Sequence, residues 1–243
     1  MPEVPRKYTY FVSDVHLGLK VGDAAAREKA FTDFLAAIDP AQTDSLYLLG
    51  DIWDFWYEYR DVVPKGYVRV FSALIGLMDA GVRVCFFPGN HDIWTYSYFQ
   101  SLGMEVLRQP YFTEIGGKRF CLGHGDGLGP VDAGYRVLRC IFHCRVLQVL
   151  FSTLHPWLAF RLGNAWSRRS LLGRRELYSF RGQDEPLYKF CERQKADYFV
   201  FGHYHCKVDM TVGDSARLFV LPDWINGQGG LRFDSLSDTF QEV

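Results

Sequence analysis

The sequence has no uninterrupted apolar run of about 18 residues, so no membrane-spanning helix is expected. Its first residues, MPEVPRKYTYFVSD, contain no apolar signal core and run straight into a strand pattern, which leads to the expectation of a cytoplasmic protein. Charge of one sign is also missing. Lys and Arg number 27 against 28 Asp and Glu, a net charge of −1, which argues against a general nucleic-acid binder. Among six cysteines there is no Cys-x-x-Cys pair. Cys85 and Cys121 sit inside apolar strand-like runs, so reduced thiols fit better than disulfides. No internal repeat, low-complexity tract or linker breaks the 243 residues, and a single domain with one sizeable core is expected over 1–243.

What is present is a recurring pattern. Residues 8–13 (YTYFVS), 44–50 (DSLYLLG) and 82–88 (VRVCFFP) are short apolar runs, and residues 23–39 and 66–80 between them have helical spacing. Buried strands joined by helical crossovers follow, which is an α/β fold. Further runs at 118–123, 197–202 and 216–221 suggest a second sheet packed on the first.

Several runs end in Asp, Asn or His beside glycine. The clusters are Asp14-x-His16, Gly50-Asp51-x-x-Asp54, Gly89-Asn90-His91-Asp92, Gly123-His124-Gly125-Asp126 and Gly202-His203-x-His205. Ligands of open α/β sheets bind outside the carboxyl ends of the strands, so these clusters are expected to converge on one edge. A lone Asp-x-His pair means little, and a single histidine is more often a packed residue than a ligand. Yet the chain has only seven histidines, and five fall in these clusters. Seven side chains (Asp14, His16, Asp51, Asn90, His124, His203 and His205) can offer oxygen or nitrogen to divalent metals. Two ions about 3.5–4 Å apart, sharing one carboxylate, need about this many donors. Such a pair lowers the pKa of a bound water toward about 7 and clamps the attacking and leaving oxygens of a phosphoester.

As a set, the five motifs resemble those of the calcineurin-like metallophosphoesterase superfamily, over nearly the whole chain. The resemblance implies a four-layer α/β/β/α sandwich. It also implies one ion held by Asp14, His16, Asp51 and His205 and a second by Asp51, Asn90, His124 and His203, with Asp51 bridging. Manganese is the metal expected first, with iron or zinc as alternatives. His91 is not needed as a ligand and is expected to protonate the leaving oxygen or to stabilise the phosphoryl oxygens. Asp54 is expected to orient His91.

Residues 127–182 carry no strand pattern and are expected to form a helical cap inserted into the body. Leu138, Phe142, Val146 and Leu150 recur at four-residue steps, and Pro156 is placed to start a helix. Residues 134–182 contain nine arginines, no lysine and one acid, Glu176, interleaved with large aromatics. A basic, apolar surface of this kind suits an anionic amphiphile and peripheral contact with an anionic membrane. Within the superfamily the chain resembles the UDP-2,3-diacylglucosamine diphosphatases of lipid A synthesis. The shared features are the His124-Gly125-Asp126 motif, Asp132, the Arg168-Arg169-Ser170 segment and Asp223-Trp224. The third motif differs, having His91 where well-known members carry arginine. This resemblance implies release of UMP from UDP-2,3-diacylglucosamine at the cytoplasmic face of a Gram-negative inner membrane. Asn90, Asp132, Arg168, Arg169 and Ser170 would face the substrate. Two alternatives stand beside it: hydrolysis of a nucleotide or other soluble phosphoester, and a catalytically inactive metal-binding scaffold.

Overall fold

The computed structural model describes residues 6–130, 133–173, 179–227 and 229–243, with the side chains of residues 170–173 outside the description. The chain starts with β1 (Tyr8–Val12), α1 (Ala24–Ala37), β2 (Thr43–Leu48), α2 (Val68–Asp79), β3 (Arg83–Phe86), α3 (Tyr98–Ser101) and β4 (Glu105–Val106). A hairpin, β5 (Tyr111–Ile115) and β6 (Lys118–Leu122), leads into three helices: α4 (Ala133–His143), α5 (Arg145–Ser152) and α6 (Pro156–Gly173). The chain then returns through α7 (Pro186–Cys191) to β7 (Tyr198–Phe201), β8 (Val208–Val212), β9 (Ala216–Val220), β10 (Leu231–Asp234) and β11 (Thr239–Glu242).

The strands form a six-stranded sheet, β11-β10-β1-β2-β3-β4, and a five-stranded sheet, β5-β6-β7-β9-β8. Alternation along β1 shows why they stack. Tyr10 and Val12 face α1 and α2, joining Phe31, Leu35, Val70 and Leu74 in one core, whereas Phe11 points the other way. Phe11 meets Tyr47 and Leu49 of its own sheet and Phe120, Leu122 and Val200 of the second in a core between the sheets. The outer face of the second sheet packs Phe199, Phe201 and Leu218 against Leu187, Tyr188 and Cys191 of α7. Four layers, α/β/β/α, result. The helices follow local signals: the Asp23 carboxylate accepts the Ala26 amide at the start of α1, and Pro186 opens α7.

In the first sheet β1, β2 and β3 run parallel, and in the second β6, β7 and β9 do. Every sequence cluster follows the carboxyl end of one of these strands. Trp53 and Trp56, just past β2, are fully buried and pack on Phe71 and Phe99, fixing the loop that carries Asp51 and Asp54.

The helices α4 to α6 lie between β6 and β7 in the chain and cover the strand ends. The four-residue stripe does not run along one helix. Cys144 is extended (φ −68°, ψ 111°) and separates α4 from α5. Leu138 and Phe142 therefore turn toward the body, while Val146 and Leu150 are 66% and 59% exposed. Body side chains tie down the helices' backbone: Trp94 Nε1 donates to Phe142 O (2.9 Å), Tyr57 OH to Gln148 O (2.7 Å) and Tyr59 OH to Leu154 O (3.2 Å).

Candidate metal centre

The loops that carry the clusters are backbone-strained. Asp14 (φ 53°), His16 (φ 50°), Asp51 (φ 52°), His203 (φ 73°) and His205 (φ 51°) all adopt left-handed conformations. Such positions cost on the order of 1–3 kcal/mol each and persist where the surroundings over-determine them. Here the His16 amide donates to Asp51 O (2.9 Å), and the His203 amide donates to Asp14 Oδ2 (2.8 Å). The loops also approach one another closely. A Cβ at Gly89 would collide with the Asp51 carboxylate, and one at Gly202 with Ser13 and Asp14.

The seven candidate ligands converge. His16 Nε2 is 3.9 Å from both Asp14 Oδ1 and Asp51 Oδ2, and His205 Nε2 is 3.7 Å from Asp14 Oδ1. On the other side His124 Nε2 is 3.4 Å from Asp51 Oδ2, 3.2 Å from Asn90 Oδ1 and 3.3 Å from His203 Nδ1. Asp51 thus touches both donor groups. Asp14, His16, Asp51 and His124 are buried, while Asn90, His203 and His205 are half-buried.

Three imidazoles are held from behind. His16 Nδ1 lies 3.3 Å from Asp54 Oδ1, His205 Nδ1 3.1 Å from Asp223 Oδ2, and His124 Nδ1 2.9 Å from Leu49 O. A proton on Nδ1, donated to these acceptors, leaves the Nε2 lone pair directed inward, as a metal ligand requires. Asp223 is itself fixed by the amides of Ile225 and Asn226.

The donor set fits divalent metal ions on an observation of its own. Asp14 Oδ1 and His16 Nε2 are buried with no hydrogen-bond partner, although they face other ligand atoms. Buried polar atoms are rarely left unpaired. Charge points the same way. Burial opposes ionisation of Asp51, but His124 and His91 hold its carboxyl well below the usual range. Burial, followed by the charge of His124, lowers His203 to about 4. Against its burial, the His124 ring is raised well above its usual value by Asp51, so the ionised central carboxylate draws positive charge to its side, as a cation site does.

A family model described as calcineurin-like phosphoesterase matches residues 8–207. The chain belongs to the calcineurin-like phosphoesterases. This family uses a dinuclear divalent metal centre. The phosphoesterase is 35% identical to a UDP-2,3-diacylglucosamine hydrolase of Porphyromonas gingivalis, over 90% of this chain and 91% of that protein. It is 31% identical to a protein of the same name from Aeromonas salmonicida, over 89% and 85% of the two. Among solved structures, a single mutant of Vps29 from Entamoeba histolytica aligns over 97% of this chain and 98% of that one, at 11% identity and a TM-score of 0.43.

The remaining predicted residues of the phosphoesterase divide. His91 sits at the rim, its ring 4.9 Å from that of His16, and its amide donates to Asp51 Oδ1 (2.8 Å). Its Nδ1 lies 2.8 Å from the main-chain carbonyl of Asp54 and 3.6 Å from the carboxylate. The expected Asp54–His91 link therefore runs chiefly through the backbone, while the Asp54 carboxylate serves His16. Asp92 gathers the amides of Ile52 (2.8 Å) and Gly89 (2.7 Å), pinning the second and third motifs together. Asp126 does the same for the cap. It accepts Gln109 Nε2 (2.6 Å) and Tyr135 OH (2.8 Å), and it pairs with Arg139 (3.3 Å). Arg168 and Arg169 are exposed on α6 and line neither the cavity beside His203 nor the one beside Asn90 and His91. Asp132 and the side chain of Ser170 lie outside the described residues. Sequence reasoning missed Ser167, a buried serine on α6 whose hydroxyl meets Asp54. It named Asp223-Trp224 as a shared feature but gave Asp223 no role behind His205.

Proposed function

We propose that this phosphoesterase hydrolyses the pyrophosphate of UDP-2,3-diacylglucosamine, releasing UMP and 2,3-diacylglucosamine 1-phosphate. One observation carries the choice of substrate. A cavity of about 260 Å³ opens between cap and body against Asn90 and His91, walled by Phe55, Trp94, Leu138, Phe142, Phe151, Leu162 and Trp166. An acyl chain buries its methylenes against such a wall at about 0.8 kcal/mol each. The printed names of the curated relatives point to the same substrate.

The proposed division of labour follows the geometry. Asp14, His16, Asp51 and His205 would hold one ion, and Asp51, Asn90, His124 and His203 the other. Manganese is the first metal to try, and iron and zinc suit the same donors. Bound ions would supply Lewis-acid stabilisation and a water acidic enough to attack phosphorus at neutral pH. His91 holds Nδ1 against a carbonyl, which leaves Nε2 as the ring atom available to substrate. It would donate a proton to the departing sugar phosphate, whose acyl chains lie on the same side in the cavity. The cap's exposed apolar and arginine side chains would bring the protein to an anionic membrane surface, where this substrate resides. The deciding experiment measures UMP release from UDP-2,3-diacylglucosamine by manganese-loaded protein, beside hydrolysis of a simple aryl phosphate. Hydrolysis of the aryl phosphate without UMP release would overturn the substrate and keep the metal centre.

A further inference from the structure

The Ser167 side chain is fully buried on α6, although the next two residues, Arg168 and Arg169, face solvent. A serine inside a helix commonly returns its hydroxyl to the carbonyl four residues back. The Ser167 hydroxyl instead lies 2.7 Å from Asp54 Oδ1, on the body. That same oxygen is 3.3 Å from His16 Nδ1. His16 Nε2, at the far side of the ring, is a buried atom with no hydrogen-bond partner, facing Asp14 and Asp51. A continuous line, Ser167–Asp54–His16, therefore joins the cap to a candidate ligand.

The seating of α6 at this point is tight. Gly163, one turn before Ser167, lies flat on the Phe55 ring, where a Cβ would collide. Trp166 lies 6.2 Å from His91 between ring centroids. The helix cannot lift without withdrawing the serine from Asp54.

We propose that Ser167 is a positioning residue that couples the docking of α6 to the aim of His16, so that cap and metal centre assemble together. The hydroxyl donates to a buried carboxylate, a charge-assisted bond that fixes the carboxylate's rotation. Oδ1 so fixed accepts the His16 Nδ1 proton and keeps the Nε2 lone pair inward. Remove the hydroxyl, and the buried Asp54 side chain is left with one donor fewer. His16 then loses a rigid support. Coupling of this kind is reciprocal: a seated cap strengthens metal binding, and bound metal holds α6 down. The inference rests on the metal-centre reading of His16 and not on the substrate.

The test uses the full chain stripped of metal and titrated with Mn²⁺, following free Mn²⁺ by electron paramagnetic resonance and α6 by hydrogen exchange. In the parent protein, Mn²⁺ should slow exchange along α6. Ser167→Ala should weaken Mn²⁺ binding by about tenfold, the low end of the range for loss of a ligand's own outer partner because Ser167 acts through Asp54, and should remove that slowing. Ser167→Cys fills nearly the same space with a weak donor and should fall between the two. It also secures the comparison if the alanine variant folds poorly. A serine that only packs the helix would speed α6 exchange in both states and leave Mn²⁺ affinity at the parent value in both variants, which overturns the proposal. If the parent itself binds no Mn²⁺, the metal-centre reading falls and takes the inference with it.

Discussion

The strand-end rim and the cap that covers it are built on opposite principles. At the rim, strained backbone and buried charge are locked by short polar contacts: five candidate ligands are left-handed, and Asp92 alone gathers the amides of two separate loops. The cap has little of this. No residue of α4 or α5 is buried, and of the large apolar side chains exposed among the described residues, eleven of sixteen lie between Val137 and Trp166. The rim resembles a fixed instrument. The cap is an apolar cover, pinned to the body where it matters and otherwise facing outward. If the proposed function holds, chemistry and substrate choice reside in different kinds of structure, and substitutions should separate them.

The largest effect is expected at the rim. Asp51→Asn removes the charge shared by both donor groups. It should cost more than the 10–100-fold loss usual for an outer partner, with Mn²⁺ content and activity falling together. His91→Ala should lower kcat by about 10²–10⁴ while Mn²⁺ content stays at the parent level. Metal analysis beside steady-state kinetics checks both. If His91→Ala loses metal as Asp51→Asn does, then His91 is a ligand. The metal analysis is decisive here, because one ligand atom each from His16, Asp51 and His91 fall within 4.8 Å of one another.

A smaller and more selective effect is expected from the inner face of the cap. Leu162 lines the apolar cavity yet is 50% exposed, so Leu162→Glu should leave the fold intact. It should raise KM for the acylated substrate by about 10–100-fold and leave aryl phosphate hydrolysis unchanged. Equal losses on both substrates would mean that cap and rim cannot be separated in this way.

The same contrast governs what could be read from the sequence. The rim was legible because metal chemistry demands particular residue types, and parallel strands deliver them at their carboxyl ends. Asp14, Asp51, Asn90, His124 and His203 needed only their neighbours in the chain to be picked out, and the structure gathers them. The partners behind them were not legible. Ser167 reaches Asp54 across 113 positions, and Leu49 serves His124 through a carbonyl that any residue would present. The strands flanking the central ones were also faint. β4 has only two residues, and β11 has three exposed positions in four, so neither has an apolar run to announce it. In the cap, spacing suggested one stripe over Leu138, Phe142, Val146 and Leu150. The break at Cys144 sends the first pair inward and the second outward, and no local signal marks that break.

The smallest expected effect tests what the outward pair is for. Val146, Val149, Leu150 and Trp157 are each more than half exposed, beside the solvent-facing Arg145 and Arg161. Arg161 also lies over the Trp157 ring at 5.3 Å. No helix among the described residues is long and apolar enough to cross a membrane, so any contact here lies along the surface. Apolar insertion and attraction to anionic headgroups act together in such contacts, and only the second is screened by salt. Binding to vesicles containing phosphatidylglycerol should therefore weaken several-fold between low and high salt without vanishing. Trp157→Ser should weaken it further at every salt concentration, with aryl phosphate hydrolysis unchanged. Salt-independent failure to bind would leave the outer cap without a membrane role and would confine its apolar function to the inner wall, where Leu162 and Trp166 face His91.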